Sequence, residues 1–219
     1  MFTGIVSTTA PVTKIVDRPG LRTLTLRFPW KQRLGLKRGA SVSLDGVCMT
    51  VTKKFGRDVS FDAMEETLEK TTLGSVKEGD RLNIERSFKT GAEVGGHIIS
   101  GHITGRARII QIDRPQNNCI MRFEIPRQYA RYIFEKGFIA LNGCSLTVVN
   151  VDHAGAAFSV CLIPETLAIT TFGQKQVGDE VNFEVDAKTQ TLVDTAERLR
   201  MLENSDLHQQ YLEQMKPKK

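Results

Sequence analysis

The sequence lacks any uninterrupted apolar run near the ~20 residues that a membrane-spanning helix requires, so no membrane partner is expected. Its first residues, MFTGIV, also lack the basic and apolar regions of a secretory signal peptide. These absences predict a cytoplasmic protein. The 219 residues, 40% of them hydrophobic, suit one large domain or two small domains of roughly 100 residues each.

Cysteine is scarce, and its spacing is not that of a metal site. The four cysteines form no CxxC pair and no Cys/His cluster of the kind that binds zinc. Because a secretory signal is also missing, they are expected to be reduced thiols. Neither a metal nor a cofactor is predicted.

A basic patch interleaved with aromatic residues, which is typical of nucleic-acid binders, is missing as well. The net charge is +5, but Lys and Arg are scattered among acids, and the excess gathers in MKPKK at the end. Aromatic residues make up only 7% of the chain. The composition therefore favours a solvated surface, and no nucleic-acid partner is predicted.

The chain does contain an internal repeat. The stretch DGVCMTV at 45–51 returns as NGCSLTV at 142–148, a shift of 97. With a shift of 99, TTLGSVKEGDRLNIERSFKT at 71–90 matches TTFGQKQVGDEVNFEVDAKT at 170–189 with nine identities in twenty positions. We interpret this as a duplication, with a first unit over 1–97 and a second over 98–188.

Each unit carries the pattern of short β-strands. SVSLDGVCMTV, DVSFDAM and RLNIERSF alternate with a period of two, and DRPG, KKFGRD and KEGD supply turns at short spacing. Such strands favour a small antiparallel barrel. EETLEKTTL and PETLAITTF predict short helices, PRQYARYIFEKG predicts a helix that opens on Pro and ends on Gly, and PWKQRLGLKRG is its weaker counterpart.

The C-terminal segment TQTLVDTAERLRMLEN belongs to neither repeat. It predicts an amphipathic helix over 189–204 with an apolar stripe on one face, made of Leu192, Thr195, Ala196, Leu199 and Leu202. The stripe must be buried either on the chain's own barrel or against copies of itself in an oligomer. The polar tail at 205–219 is expected to be frayed.

Three pairs of matched segments are suited to close contact with a small molecule. They are 4–6 with 101–103, 48–50 with 145–147, and 62–67 with 161–166. Glycine lets the backbone approach a flat heterocycle, Ser and Thr hydroxyls can donate and accept, and Met64 and Ile163 can supply apolar cover. The same residues are also ordinary turn and strand chemistry, so the pattern alone leaves both interpretations open.

The motifs MFTGIV, GVCMTV, GGHIISGHI, KGFIALNGCSLTV and LIPETL, together with the tandem repeat over nearly all of 1–189, closely resemble the riboflavin synthase family. The resemblance implies an all-β fold of two tandem six-stranded antiparallel (Greek-key) β-barrels with short helices and a C-terminal helix. It also implies a homotrimer joined by the C-terminal helices, with each active site between the N-terminal barrel of one subunit and the C-terminal barrel of its neighbour.

The activity implied by the resemblance is the transfer of a four-carbon unit between two molecules of 6,7-dimethyl-8-ribityllumazine. The products are riboflavin and 5-amino-6-ribitylamino-2,4(1H,3H)-pyrimidinedione, and no metal or redox cofactor is required. One molecule loses a proton from its 7-methyl group, and the other is activated at C7. The two pockets must therefore differ, and the paired motifs do differ, at Ile5 against His102, Cys48 against Ser145 and Asp62 against Cys161.

Four catalytic residues are predicted from the resemblance. Cys48 either adds to C7 or holds an added water or ribityl hydroxyl, although a free cysteine in an apolar strand is ordinarily inert core. His102 carries protons near neutral pH. Ser41 bonds a nucleophile or ring atom, and Asp186 is an acid that breaks the repeat symmetry and orients a neighbour; His97 is interpreted as structural. The predicted substrate contacts are Gly4, Ile5, Val6, Met49, Thr50, Asp62, Ala63, Met64, Thr67, Gly101, Ile103, Lys136, Ser145, Leu146, Thr147, Leu162, Ile163, Pro164 and Thr166.

Two other functional classes compete with this interpretation. A light-emitting accessory protein of the lumazine-protein type would share the barrels, bind one chromophore and not turn it over. An oligonucleotide-binding barrel would show salt-dependent retention on DNA. The resemblance also leaves open an association with lumazine synthase.

Overall fold

A computed structural model describes residues 1–89, 91, 93–116 and 118–203 of the chain, with the side chains of residues 202 and 203 excluded. The predicted polar tail at 205–219, Thr90 of the repeat and the Leu202 side chain lie outside the described part. Within that part, no helix has both the length and the apolar character needed to cross a membrane.

The first half of the chain forms a closed antiparallel barrel. Its strands are β1 (Thr8–Arg18), β2 (Leu21–Arg27), β3 (Ser41–Leu44), β4 (Val47–Phe55), β5 (Asp58–Met64) and β6 (Arg81–Arg86). Their order around the barrel is β1-β2-β5-β4-β3-β6. Strands β3, β4 and β5 follow one another as hairpins and β6 returns beside β3, which is a Greek-key connection. Two short helices, α1 (Trp30–Arg33) and α2 (Glu65–Lys70), and a 3₁₀ turn at Thr72–Gly74 lie between strands.

The second half repeats this architecture. Its strands are β7 (Gly105–Asp113), β8 (Cys119–Glu124), β9 (Phe138–Leu141), β10 (Cys144–Asp152), β11 (Ala157–Leu162) and β12 (Glu180–Val185), again closed into a barrel. Helix α3 (Pro164–Ile169) and a 3₁₀ turn at Thr171–Gln174 correspond to α2 and its turn, and helix α4 (Ala187–Glu203) follows. The predicted all-β class and the two six-stranded barrels are confirmed. The segment PRQYARYIFEKG differs from its prediction, because only Arg127–Tyr132 is helical and it is a 3₁₀ helix.

Each barrel has its own apolar core, and each also receives a residue from beyond its own strands. Phe28, Phe61 and Leu44 are among the fully buried side chains of the first core. Val6, which precedes β1, packs into the core of the second barrel, and Ile103, which precedes β7, packs against the core of the first. The segments that enter the barrels therefore tie them together.

The two barrels meet around an approximate two-fold arrangement. The backbone of Phe2 exchanges two hydrogen bonds with Ile99, at 2.8 and 3.0 Å. The Asn83 side-chain amide donates to the Asn142 carbonyl at 3.0 Å, and the Asn182 amide donates to the Asp45 carbonyl at 2.8 Å. These reciprocal bonds satisfy buried polar groups at the junction.

The repeated Asp-Gly and Asn-Gly steps are the points of closest approach between the barrels. Asp45–Gly46 and Asn142–Gly143 all have positive φ, between 43° and 86°, as two-residue hairpins of type I′ require. A Cβ on Gly46 would lie 2.8 Å from the Gly143 nitrogen, and a Cβ on Gly143 would lie 2.8 Å from the Gly46 nitrogen. Glycine is therefore needed twice, because two backbones touch there.

Helix α4 packs on the second barrel through Val193, which lies against the barrel core, and through polar side chains. The Asp186 carboxylate accepts from the backbone N–H and hydroxyl of Thr189 at 2.9 and 2.8 Å, which caps the helix start. The Tyr132 hydroxyl donates to Asp194 at 2.6 Å. Leu192 and Leu199, by contrast, are 71% and 56% exposed. Among the described stripe residues, the chain's own barrel does not cover the apolar face.

Candidate active site

The first candidate site lies on the outer face of β3 and β4. Strand pairing places Ser41 opposite Thr50 and Ser43 opposite Cys48. Directly paired residues share one face of a sheet, so Ser41, Cys48 and Thr50 stand together. The intervening Met49 points into the core and is 5% exposed.

A cavity of about 290 Å³ opens beside this face, close to the lower end of the range for small-molecule pockets. It is lined by Val47, Cys48, Glu66, Thr67, Lys70, Thr71, Gly101, His102 and Ile103. Five predicted site residues from three separate segments therefore meet here. Glu66 and Lys70 of α2, paired at 2.6 Å, were not predicted.

Cys48 is held against the loop that carries His102. Its backbone N–H donates to the Gly101 carbonyl at 3.0 Å. A Cβ on Gly101 would lie 2.5 Å from the Cys48 Cβ and 3.0 Å from the Phe2 ring. The half-buried thiol packs on the apolar cluster of Phe2, Ile99 and Ala140, so its immediate surroundings are largely apolar.

The second candidate site has the same framework with other side chains. Pairing of β9 with β10 places Phe138 opposite Thr147 and Ala140 opposite Ser145, so Phe138 stands where the first site has Ser41. The Ser145 N–H donates to the Gly4 carbonyl at 2.8 Å, which matches the contact between Cys48 and Gly101. The His97 Nδ1 lies 2.6 Å from the Ser145 Oγ, a contact that sequence reasoning missed.

Two buried glutamates fix the glycine loops of both sites. The Glu85 carboxylate accepts from the N–H and hydroxyl of Thr3 at 2.7 and 2.8 Å and from the Gly4 N–H at 3.0 Å. Glu184 accepts from the N–H and hydroxyl of Ser100 at 2.8 and 2.6 Å and from the Gly101 N–H at 3.0 Å. Burial raises the pKa of both carboxyl groups, and these hydrogen bonds oppose the rise. The signal was present in the sequence, because this glutamate is one of the nine identities in the repeat.

The remaining predicted site residues are dispersed. Asp62 faces outward on β5 and accepts from the Thr23 hydroxyl at 2.7 Å, and Lys136 is exposed in the turn before β9 with φ of +63°. Ile5, Met64 and Ile163 are between 48% and 68% exposed. Pro164 and Thr166 lie in the first turn of α3, the helix that corresponds to α2, and Thr166 occupies the position of Thr67. The side chains of Val6, Ala63, Leu146 and Leu162 point into the cores, so these residues would reach a ligand only through their backbone.

Neither site brings metal ligands together. Across the part of the chain that the structure describes, no group of three or more His, Cys, Asp or Glu side chains is placed to hold a metal ion. The four cysteines are free thiols, of which Cys119 and Cys144 are buried and Cys161 is exposed. Burial raises the pKa of the Cys144 thiol to about 12.

Comparison with known proteins identifies the repeat. The family model described as the lumazine binding domain matches the chain twice, over residues 3–87 and 100–186. Among solved structures, LumP complexed with 6,7-dimethyl-8-(1'-D-ribityl) lumazine covers 85% of this chain and 99% of its own, with a TM-score of 0.77 and 22% identity. LumP complexed with riboflavin has a TM-score of 0.78 and 24% identity, and the match covers 85% of this chain and 100% of LumP. At these identities the likeness shows the fold alone.

Curated relatives are much more similar in sequence. Riboflavin synthase of Escherichia coli (strain K12) is 45% identical over 210 residues, which is 95% of this chain and 98% of the relative. Riboflavin synthase of Buchnera aphidicola subsp. Schizaphis graminum is 44% identical over 200 residues, which is 91% of this chain and 95% of the relative. Full-length similarity at this level, joined to two lumazine-binding repeats, shows that the chain belongs to the riboflavin synthase family.

Proposed function

We propose that the protein is a riboflavin synthase, a transferase that converts two molecules of 6,7-dimethyl-8-ribityllumazine into riboflavin and 5-amino-6-ribitylamino-2,4(1H,3H)-pyrimidinedione. The observation that carries the proposal is the 45% identity to a riboflavin synthase over 95% of the chain. The two copies of the lumazine binding domain fit a reaction in which both substrates are the same compound.

The geometry supports a division of roles between the two sites. Both use a glycine carbonyl to hold the strand that carries the central residue, Gly101 for Cys48 and Gly4 for Ser145. Their polar groups differ, because Cys48 faces the apolar Phe2 whereas Ser145 contacts a histidine. One framework that binds the same ring twice, with different groups at its centre, suits a reaction between a carbon nucleophile and an electrophile.

In the first site, Cys48 and His102 line one cavity, and Ser41 shares the strand face with Cys48. We assign His102 to proton transfer and Cys48 to the C7 end of the ring, with Ser41 as its hydrogen-bonding neighbour. Asp186 caps α4, and this favours a role in orienting its surroundings over direct contact with substrate.

We further propose a homotrimer in which the exposed face of α4 packs against its copies and each active site joins two subunits. Leu192 and Leu199, seven residues apart on one face of this helix, are 71% and 56% exposed, and exposed apolar surface of this kind marks interfaces. Exposed Ile5 and Met64 at the sites favour a neighbour that covers the ligand. Joining two substrates across one interface removes the entropic cost of their encounter.

The test is to mix purified full-length protein with 6,7-dimethyl-8-ribityllumazine and follow absorbance as riboflavin forms. Turnover with one riboflavin per two lumazines consumed supports the proposal. Tight binding without riboflavin would instead support a lumazine-type accessory protein. His102→Gln should shift the pH profile of turnover, and a profile equal to wild type would remove His102 from the mechanism.

Location and a further partner remain predictions. Cell fractionation tests the cytoplasmic location. Co-sedimentation with purified lumazine synthase tests that association, and migration as separate species would contradict it.

A further inference from the structure

His97 precedes the loop that carries His102, but its ring lies in the other site. Its Nδ1 is 2.6 Å from the Ser145 Oγ, on a strand 48 residues away. The side chain is 8% exposed, and its ring stacks on Phe138 with centroids 5.1 Å apart and planes inclined by 21°. Both the hydrogen bond and the stacking contact come from the face that forms the second site.

The backbone around His97 is fitted to this contact. A Cβ on Gly96 would lie 2.4 Å from the Thr3 carbonyl oxygen and 2.9 Å from the Ser145 Oγ. On another side, a Cβ on Gly4 would lie 2.5 Å from the Ser145 Cβ. Two glycines and one imidazole therefore enclose the Ser145 side chain and fix the position of its Oγ, whereas the direction of the O–H bond depends on what His97 accepts or donates.

The first site has no such histidine. His97 ends the first repeat unit, and the shift of 99 that aligns the end of that unit with the second places Ala196 opposite it, so the repeat supplies no matching histidine. Ser41 occupies the position of Phe138, so the stacking partner is also missing. Among the described residues, the pairing of a hydroxyl with a buried imidazole belongs to the second site alone.

We propose that His97 is a positioning residue of the second site, a proposal that rests on the proposed function. Its Nδ1 accepts a hydrogen bond from the Ser145 hydroxyl, so that Ser145 presents an oxygen lone pair to the bound lumazine. A serine hydroxyl has one proton and two acceptor lone pairs. With the proton committed to His97, the oxygen accepts a hydrogen bond from an N–H or O–H of the ligand, and the remaining ring proton of His97 is on Nε2.

The electrostatics agree with a neutral ring. Burial lowers the pKa of His97, and the Asp186 carboxylate, the titratable group among the described residues that acts on it, partly opposes this. The neutral ring keeps one nitrogen free to accept. As the pH falls through this lowered pKa, Nδ1 becomes a donor, the hydroxyl must turn towards the ligand, and the site loses its acceptor.

The direct test is nitrogen NMR of the full chain labelled with ¹⁵N-histidine, without ligand. His97→Phe identifies the signal. We expect Nε2 to carry the proton, and Ser145→Ala to change the Nδ1 shift of His97 but not the signals of His153. His153 is exposed and contacts Ala130 instead, so it serves as the matched control. A proton on Nδ1, or a His97 Nδ1 shift that is the same in Ser145→Ala as in wild type, would overturn the assignment.

The kinetic test compares two variants of different chemistry. His97→Phe keeps an aromatic ring on Phe138 and removes the acceptor, whereas His97→Asn keeps a polar atom at the δ position. We expect His97→Phe to lower kcat by about 100-fold with KM changed less than about threefold, and to remove the acid limb of the kcat profile. His97→Asn should recover about tenfold of kcat, while His153→Phe should match wild type.

The outcomes separate this proposal from the proposed function. Wild-type kcat and pH profile in His97→Phe would refute the positioning role even if riboflavin forms. If the wild-type protein forms no riboflavin, the proposed function fails, and the NMR measurement still decides whether His97 holds the Ser145 proton.

Discussion

Replacing Asp45 by Asn should make the protein progressively more stable relative to wild type as the pH rises from 5 to 8, and the reason lies at the barrel junction. Asp45 is 5% exposed, and its carboxylate accepts from the Asn83 N–H at 2.7 Å. Asn142, the repeat partner of Asp45, uses its side-chain oxygen in the same way, accepting from the Asn182 N–H at 2.8 Å. The second barrel therefore holds an amide at this place, with the Asn142 Nδ2 lacking a hydrogen-bond partner among the described residues, so Asp45→Asn should keep the fold at a cost that does not change with pH.

The magnitude follows from the ionisation of Asp45. Burial raises the pKa of Asp45 from its usual 3.8 to about 7; the Asn83 hydrogen bond and the positive charge of Lys175 oppose the rise. Because one unit of pKa corresponds to about 1.4 kcal/mol, ionisation costs up to roughly 4 kcal/mol more in the folded state than in the unfolded state. Asp45 lines a cavity of about 430 Å³ at the junction. Relaxation and water entry there reduce this figure, so we expect about 1–3 kcal/mol.

The sign follows from proton linkage. Between pH 4 and 7 the folded protein holds the Asp45 proton more tightly than the unfolded chain, so stability from this group falls as the pH rises. Asp45→Asn removes that loss. The variant should therefore gain stability over wild type as the pH rises from 5 to 8, and the gain should level off above about pH 7.

The assay is urea unfolding of wild type and Asp45→Asn at pH 5, 6, 7 and 8, with the slope of the transition checked for equality. Exposed Asp113→Asn serves as the control and should change the free energy of unfolding by less than about 0.5 kcal/mol at every pH. A difference between Asp45→Asn and wild type that is the same at pH 5 and pH 8 would refute the reasoning.

Three further predictions follow from the site and the interfaces. Cys48→Ser should lower kcat by roughly 100-fold while leaving lumazine affinity, measured by fluorescence titration, within about threefold; equal losses in both would make Cys48 a binding residue. Combined Leu192→Glu and Leu199→Glu should convert the oligomer to monomers by light scattering, and a trimer that survives would reject α4 as the interface. Gly46→Ala should lower the free energy of unfolding by more than the ~1–3 kcal/mol of left-handed strain, because its Cβ would meet the Gly143 backbone at 2.8 Å. Gly79→Ala, with φ of +96° and nothing within 4 Å, isolates the strain alone, and equal losses in the two variants would contradict the contact argument.

The residues on the face of the first site could be predicted from the sequence because their placement depends on neighbouring positions in the same strand. Strand alternation puts Cys48 and Thr50 on one face and Met49 on the other, and the repeat marks Gly4 and Gly101 as equivalent. Period-two patterns and turn signals predicted a small antiparallel barrel in each unit, whereas the six strands and their Greek-key order followed from the family resemblance. PRQYARYIFEKG failed as a regular α-helix because its Pro and Gly boundaries fit any short turn, and the chain between them places Tyr132 and Ile133 in the core of the second barrel.

Only the tertiary structure decided which residues from distant, unrelated parts of the sequence are in contact. The sequence determined that one unit is repeated, that its strands form barrels, and that paired positions such as Cys48 and Ser145 differ. It could not show that His97 reaches Ser145, because His97 has no matching histidine in the second repeat and its partner comes from a distant strand. Nor could it show that Asp45 is buried opposite its repeat partner Asn142, because the burial arises only when the two barrels meet. Local patterns fix the elements, whereas desolvation and hydrogen-bond partners depend on which surfaces the folded chain brings together.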